Sequence, residues 1–227
     1  MARDTRDISV RLTDEDFNFI CDFVYQSTGI VLNDNKREMV YRRLTRIVRD
    51  RKLDSFSDYC QLLREQGEQE KGYFINAITT NLTSFFREQH HFDYLTTNEL
   101  PKLMANKRTQ TNGKKRLRIW SSASSTGEEP YSIAITVLDV MRSAISTWDV
   151  KILATDIDSN VLATGKAGVY EYRRIENIKE DFKHKFFKRG CGENESNIRV
   201  NKEISDLITF KQLNLLHEWP MKGPFDV

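Results

Sequence analysis

The apolar positions of the first part of the chain repeat at the spacing of amphipathic helices. Phe17, Ile20 and Val24 lie on one helical face, and Thr13 stands before them as an N-cap residue. Further segments with this period lie at approximately residues 34–51, 56–63 and 73–78. Nothing in this part of the chain requires a strand. We therefore predict an N-terminal all-helical domain over residues 1–80.

The pattern changes after the turn dipeptide Asn112-Gly113. Short buried strands then alternate with helical faces, at approximately residues 116–120, 130–141, 150–156, 159–166 and 207–213. This alternation is the signature of βαβ units on a parallel sheet. We therefore predict an α/β, Rossmann-like domain over residues 116–227, with residues 81–115 as the linker that leads into it.

An insertion interrupts the α/β pattern before the last predicted strand. It contains a Phe-rich helical segment, the turn-prone stretch GCGENESN and the alternating apolar positions Ile198 and Val200. We predict a small inserted β subdomain at about residues 180–205. The final residues, GPFDV, read as the opening of a further strand, so we expect the domain to be truncated at its C-terminal end.

Composition narrows the class of protein. The chain has 227 residues, a formal net charge of +2, and 30% charged residues, as in ordinary globular domains. It has no apolar run near the ~20 residues of a membrane span and no signal peptide pattern. Three cysteines without paired spacing indicate neither a disulfide framework nor a zinc site. We expect a cytoplasmic monomer that binds no metal and does not insert into a membrane.

The loop from Ser121 to Glu129 follows the first predicted strand, where doubly wound sheets bind ligands. It lacks the G-x-G-x-x-G spacing of dinucleotide-binding loops. Glu128 and Glu129 lie where a pyrophosphate would need a free helix N-terminus. The loop therefore disfavours an NAD-dependent oxidoreductase and suits a cationic or phosphate-free nucleoside. The alternative is that Glu129 only complements the helix dipole.

Asp156 ends the second predicted strand of the sheet. An acid at this position can accept hydrogen bonds from both ribose hydroxyls of a nucleoside. It can also merely cap a loop, which is the alternative here. Together with the acidic first loop, Asp156 indicates a nucleoside that carries positive charge, and S-adenosylmethionine is the common cofactor of that description.

Four stretches of the chain resemble one known family. They are TTNLTSFFRE at residues 79–88, IWSSASSTGEEPYSIA at 119–134, ATDID at 154–158 and QLNLL at 212–216. In this order and at this spacing they resemble the CheR family, bacterial chemotaxis receptor methyltransferases, and WPMKGPFDV at 219–227 matches as well. The resemblance implies methyl transfer from S-adenosylmethionine to glutamate side chains of chemotaxis receptors, with formation of γ-glutamyl methyl esters and S-adenosylhomocysteine.

The resemblance also implies roles for individual residues. The cofactor-binding set is Asn81, Thr83, Arg87, Glu128 or Glu129, Asp156, Asn214 and Leu215. Asn81, Thr83 and Arg87 would close over the methionine end, where Arg87 would pair with the carboxylate. Glu129 or Glu128 would hold the amino group, Asp156 the ribose, and Asn214 with the Leu215 backbone the adenine.

The acceptor glutamate is already ionised near neutral pH, so we nominate no general base. Arg87 is our one candidate catalytic residue, because it could also orient the acceptor carboxylate. The alternative for Arg87 is a salt bridge to Glu88 or another acid.

Receptor contacts are expected at two places. Arg42, Arg46 and Arg49 lie two positions after the apolar stripe of Val40, Leu44 and Ile47, so they face away from it. They could steer an acidic receptor helix bundle. A merely solvated face is the alternative, and nucleic acid is disfavoured because interleaved aromatic residues are missing. The turn Arg189–Gly192 resembles the form of this subdomain that captures a receptor's C-terminal peptide; a hairpin without a ligand is the alternative.

Members of the family continue past the equivalent of FDV with the rest of the sheet. We therefore expect that this sequence is a truncated part of a working enzyme. The alternative function is a non-catalytic receptor-binding fragment, because the predicted sheet is incomplete after Val227.

Overall fold

A computed structural model describes residues 10–106 and 113–227. The chain divides into two compact units. The described residues up to Thr80, together with the later segment Asn214–Glu218, form the helical unit. Residues Asn81–Leu213 and Trp219–Val227, as far as they are described, form the second, α/β unit.

The described part of the helical unit contains four α-helices: α1 (Asp14–Thr28), α2 (Arg37–Asp50), α3 (Phe56–Glu65) and α4 (Gly67–Ile78). Thr13 begins α1 with a capping box, since its side chain accepts from the Asp16 amide and Asp16 accepts from the Thr13 amide. The core consists of buried apolar side chains from all four helices, among them Phe17, Ile20, Val24, Val40, Leu44, Val48, Phe56, Tyr59, Leu63 and Phe74.

Helix α4 is longer than the apolar pattern predicts, because its first turns are polar. Glu70 lies in this polar part yet is only 4% exposed. Its carboxylate pairs with the Arg51 guanidinium at 2.8 Å, so the buried charge is compensated. Sequence periodicity could not reveal this, since the pairing partner lies on another helix.

The α/β unit is built on a parallel sheet. Its strands are β1 (Lys115–Ser122), β2 (Trp148–Asp156) and β6 (Ile208–Gln212), in the order β1-β2-β6. Helix α7 (Glu128–Met141) joins β1 to β2, and α8 (Ser159–Ala167) follows β2. Parallel register pairs Ile119 with Ile152 and Ile152 with Ile208, so the carboxyl ends of the three strands meet at one edge.

A smaller antiparallel sheet lies between α8 and β6 in the chain. It contains β3 (Val169–Glu171), β4 (Phe187–Arg189) and β5 (Asn197–Val200), in the order β3-β5-β4. Helix α9 (Glu180–Phe186) precedes β4, and α10 (Lys202–Ser205) follows β5. Strand β3 begins before the interval 180–205 in which we expected the insertion, because a three-residue strand gives almost no alternation to read.

The segment between the two predicted domains is irregular at residues 81–88 and helical from Gln89 to Asn106. It forms α5 (Gln89–Tyr94), a π-helical turn (Leu95–Glu99) and α6 (Leu100–Asn106). Near its end the chain returns to the free edge of β1, where the Asp226 amide donates to the Arg118 carbonyl at 2.7 Å. Among the described residues, no helix is long and apolar enough to cross a membrane.

Candidate functional site

The turn between β1 and α7 has an unusual backbone. Ala123 and Ser125 adopt positive φ angles of 58° and 49°, each at a cost of about 1–3 kcal/mol. Gly127 follows with φ of 95°, and a Cβ there would lie 2.9 Å from the Gly165 Cα. Only glycine fits this position. Backbone strain of this kind persists where the surrounding structure holds it in place, and it clusters at ligand-binding turns.

Asp156 connects this turn to the end of β2. The Ser125 amide donates to Asp156 Oδ2 at 2.8 Å, and the Asp158 amide donates to Asp156 Oδ1 at 3.0 Å. The Asn81 side-chain amide donates to Asp158 Oδ2 at 2.7 Å, and the Ser125 hydroxyl donates to the Asn81 carbonyl at 3.1 Å. These four bonds close a ring, which we call the Asp156 ring: Asn81, Ser125, Asp156 and Asp158.

The Asp156 carboxylate retains acceptor capacity. It is only 7% exposed, and each oxygen holds one backbone N–H. A carboxylate oxygen can accept about two hydrogen bonds, so one position remains on each oxygen. The loop-capping role is therefore present in the structure, and it leaves each oxygen able to accept one further hydrogen bond.

The two neighbouring acids at the start of α7 have different environments. The Glu128 side chain is wholly buried; it accepts from the Thr126 hydroxyl at 2.5 Å and pairs with the Arg174 guanidinium. Glu129 is exposed and accepts from the Ser121 hydroxyl at 2.6 Å. Of the two alternatives for holding a ligand ammonium, only Glu129 is accessible.

The segment 81–87 runs beside the Asp156 ring through Asn81. Arg87 is exposed, and its guanidinium donates to the Leu82 carbonyl at 2.7 Å. Within residues 10–106 and 113–227, no carboxylate lies at salt-bridge distance from Arg87, so the alternative pairing with Glu88 or another acid is not formed there. Glu88 instead faces the His90 imidazole at 3.9 Å.

Asn214 and Leu215 lie in the segment that packs with the helical unit. The Asn214 side-chain amide donates to the Ser27 carbonyl at 2.8 Å, and its oxygen accepts from the Leu216 amide at 3.0 Å. Asn214 and the Asp156 ring belong to different units. The expected contact of Asn214 and Leu215 with adenine stays a prediction.

Comparison with known proteins identifies the family. Residues 81–227 match the "CheR methyltransferase, SAM binding domain" and residues 15–79 match the "CheR methyltransferase, all-alpha domain". The chain belongs to the CheR methyltransferase family. It is 45% identical to "Chemotaxis protein methyltransferase 2" of Pseudomonas aeruginosa, over 94% of this chain and 73% of that protein. It is 42% identical to the "Chemotaxis protein methyltransferase" of Salmonella typhimurium, over 95% and 71%.

The predicted resemblance, the predicted fold class and the predicted cofactor are thereby confirmed. This CheR methyltransferase has the expected Rossmann-like parallel sheet, an all-helical N-terminal part and S-adenosylmethionine as its cofactor. The Asp156 ring lies within the matched S-adenosylmethionine-binding domain.

The residues present at the strand ends fit that cofactor. The Ser124 hydroxyl is buried in the turn and, among the described residues, has no hydrogen-bond partner. An orphaned buried hydroxyl is costly unless a ligand or water satisfies it. Together with the remaining acceptor positions of Asp156 and the exposed Glu129, the turn presents acceptors for a diol and an ammonium.

Sequence reasoning missed two residues that shape this site, Tyr170 and Arg174. Tyr170 donates its hydroxyl to the Thr126 carbonyl at 2.6 Å, and burial raises the pKa of Tyr170 well above its ordinary value, so the donor stays protonated. Arg174 pairs with Glu128. Both residues follow α8 on or near β3, far along the chain from the turn they support, and no local pattern signals such contacts.

Proposed function

We propose that this CheR methyltransferase transfers a methyl group from S-adenosylmethionine to glutamate side chains of chemotaxis receptors, forming γ-glutamyl methyl esters. Similarity to chemotaxis protein methyltransferases over more than nine-tenths of the chain supports the receptor as substrate. The observation that carries the proposal is the Asp156 ring beside an orphaned hydroxyl and an accessible carboxylate.

The proposed roles of the cofactor-binding residues are those that the family resemblance implies, and the surroundings of Asp156 and Glu129 support two of them. Asp156 accepts the ribose hydroxyls through its remaining lone pairs. Glu129, which is exposed, holds the amino group of the methionine moiety, whereas Glu128 stabilises the turn from inside. Arg87 pairs with the cofactor carboxylate, and Asn81 and Thr83 keep the segment 81–87 against the turn.

The chemistry requires positioning rather than proton transfer. When bound, S-adenosylmethionine supplies a methyl group that its sulfonium already activates. The acceptor glutamate is ionised near neutral pH, so no residue of this chain acts as a general base. The task of the segment 81–87 and the turn is to align the acceptor with the methyl group and to exclude water. The exposed Arg87 also orients the acceptor carboxylate.

The helical unit supplies a cationic surface for the receptor. Arg42, Arg46 and Arg49 are all exposed on α2, while Val40 and Leu44 are buried. We call these three side chains the arginine row. Because a receptor bundle that presents several glutamates is acidic, the arginine row steers it toward the enzyme.

The small antiparallel sheet offers a second contact. Strand β4 is an edge strand of this sheet, and Lys188 lies directly opposite Arg199 with both side chains exposed. Like charges in this position repel each other unless an anion lies between them. We propose that an acidic peptide from the receptor's C-terminus adds to this edge. Replacing both residues by glutamate should slow methylation of a tailed receptor and leave a tail-less receptor unaffected; equal rates for the tailed receptor would contradict this role.

Methyl transfer itself tests the proposed reaction. The protein is incubated with methyl-labelled S-adenosylmethionine and the cytoplasmic part of a chemotaxis receptor. A glutamate methyl ester releases its label as volatile methanol in mild base, and receptor variants with alanine at the acceptor positions take up no label. Base-stable label would exclude glutamate O-methylation. Receptor binding without any transfer would favour the alternative of a non-catalytic binding fragment.

A further inference from the structure

Arg174 connects two parts of the cofactor site without belonging to either. It lies in the helical turn Tyr172–Ile175, which follows β3. Its Nη2 donates to the Thr83 carbonyl at 3.2 Å and to Glu128 Oε1. Thr83 belongs to the segment 81–87, and Glu128 is the first residue of α7. A single guanidinium therefore joins the segment 81–87 to the β1–α7 turn.

Loss of the Arg174–Glu128 contact is unfavourable because the Glu128 carboxylate is buried. Its side chain is 0% exposed, whereas the Arg174 side chain is 38% exposed. Removal of the guanidinium would leave a buried carboxylate with only the Thr126 hydroxyl to compensate it. Glu128 would then have to move toward solvent, and the strained turn that precedes it would move too.

Aromatic packing also holds the segment 81–87 against the small antiparallel sheet. Phe85 is 8% exposed and lies edge-on against Tyr170 of β3 and Phe187 of β4, with ring centroids 5.2 and 5.4 Å apart. Edge-to-face pairs fix the mutual orientation of rings. The small sheet thus provides a platform for the segment, and Arg174 extends from the end of that platform to the turn.

We infer that Arg174 is a positioning residue for the cofactor pocket, acting through Thr83 and Glu128. This inference rests on the proposed cofactor roles of the segment 81–87 and the Asp156 ring. Arg174 itself contacts no reacting atom. Its effect is to set the distance between the residues that bind the methionine end and those that bind the ribose.

Calorimetric binding of S-adenosylhomocysteine to the purified protein tests this role. Arg174→Ala should raise the dissociation constant at least about tenfold, equivalent to ~1.4 kcal/mol, with one site per chain retained. The matched control is Arg173→Ala, which removes the neighbouring arginine and its exposed pair with Glu171; its dissociation constant should equal that of the wild type. Equal dissociation constants for Arg174→Ala and Arg173→Ala would overturn the inference.

Two further variants separate positioning from general stability. Arg174→Lys keeps the charge but has no planar fork, so it should restore part of the affinity lost in Arg174→Ala. In a Glu128→Gln background, the effect of Arg174→Ala on the dissociation constant should shrink, because the residues act as a pair. A merely structural role would lower the fraction of active protein and leave the dissociation constant of that fraction unchanged. That result, or full additivity in the double variant, would refute the inference.

Steady-state kinetics with receptor should show that Arg174 affects the cofactor and not the receptor. Arg174→Lys should raise the Michaelis constant for S-adenosylmethionine and leave that for the receptor unchanged. The Asp156→Ala variant distinguishes a failure of the proposed cofactor site from a failure of the inference about Arg174. If Asp156→Ala binds S-adenosylhomocysteine normally, the proposed cofactor site is wrong. If Asp156→Ala weakens binding and both Arg174 variants do not, only the inference about Arg174 is wrong.

Discussion

At the scale of single residues, Asp156 has a structural role in the turn, and we propose that the same carboxylate also binds the ribose. Its oxygens hold the amides of Ser125 and Asp158, which fixes the turn in its strained conformation. The same oxygens keep a free acceptor position each. The affinity for cofactor should therefore depend on Asp156 in two ways, directly through the ribose and indirectly through the shape of the turn.

Replacement of Asp156 by alanine should weaken S-adenosylhomocysteine binding at least about tenfold. Hydrogen bonds to a charged group contribute about 1.5–3 kcal/mol each, and ~1.4 kcal/mol corresponds to a factor of ten. Isothermal titration calorimetry measures the change. Asp206→Ala is the control, because Asp206 is an exposed partner of Lys202 on α10. An unchanged dissociation constant in a folded Asp156→Ala protein would disprove the ribose assignment.

Arg43 shows that the basic segment is not uniformly a surface patch. Its guanidinium donates to the carbonyls of Ile78 and Thr79 at 2.5 and 2.7 Å, at the end of α4. Such bonds satisfy carbonyls that a helix end leaves without partners. Arg42, the preceding residue, is exposed instead.

Arg43→Ala should therefore lower the free energy of unfolding of the helical unit by about 1.5–3 kcal/mol. Arg42→Ala should change it by no more than about 0.5 kcal/mol, as is usual for surface positions. Urea denaturation followed by far-ultraviolet circular dichroism compares the two. Equal stabilities of the two variants would show that Arg43 does not hold the end of α4.

At the scale of elements, sequence periodicity located most helices and strands of the fold. The strands at 116–120 and 150–156 were predictable because apolar residues recur at every second position, Leu117 and Ile119 in the first and Val150, Ile152 and Ala154 in the second. Helix α4 was predicted too short, since its polar first turns depend on Glu70 pairing with Arg51. On α2, Val48 is buried and Ile47 is only half-buried. The buried face of α2 therefore includes Val48, which we did not predict, in place of Ile47.

The candidate site was predictable where its residues end a strand or lie in a family motif. Asn81 and Asp156 are two such residues, and the structure joins them in one ring. The sequence could not predict that Glu128 is buried and Glu129 is exposed. The two residues are adjacent and chemically identical, and they differ only in the direction in which their side chains leave the helix. Arg174 carried no signal at all, since its partners lie in two distant parts of the chain.

The arginine row should act as an element rather than as individual residues. Replacing Arg46 and Arg49 by glutamate should raise the Michaelis constant for receptor and flatten its salt dependence, because long-range attraction is screened beyond ~10 Å at 0.1 M salt. Methylation rates across a receptor titration at low and high salt measure this. The affinity for S-adenosylhomocysteine should not change, since the Asp156 ring lies in the other unit.

A charge-matched control supports the interpretation of that variant. Replacing the exposed Lys102 and Lys202 by glutamate gives the same change in net charge on the α/β unit. This control should leave the receptor kinetics close to those of the wild type. If the control and the arginine variant behave alike, net charge alone determines receptor affinity; if neither changes the kinetics at low salt, the arginine row is only a solvated face.

At the scale of the whole molecule, the two units are linked by more than one crossing of the chain. The segment Asn214–Glu218 packs with the helical unit, although both of its flanks belong to the α/β unit. The Leu213 amide donates to the Asp156 carbonyl at 2.9 Å, and the next side chain, Asn214, donates to Ser27 of α1. The consecutive residues Leu213 and Asn214 are thus hydrogen-bonded to different units.

Hydrogen exchange with and without S-adenosylhomocysteine should reveal which unit the cofactor stabilises. Ligand at a hundred times its dissociation constant stabilises the state that it binds by about 2.7 kcal/mol. Amides that exchange only when the site opens should therefore slow by about a hundredfold. We expect this in peptides that cover residues 81–87, 121–128 and 154–158, and not in α2 or α3.

The peptide that contains Asn214 and Leu215 then decides the prediction that remains open. If these residues line the adenine, its amides slow together with those of the Asp156 ring, while α2 and α3 stay unchanged. If the segment serves only the helical unit, its exchange follows α1 and does not respond to the ligand, and the adenine assignment is wrong. Equal slowing throughout both units would instead mean that they open as one cooperative body, which contradicts the local effect that we expect from a ligand confined to the strand ends.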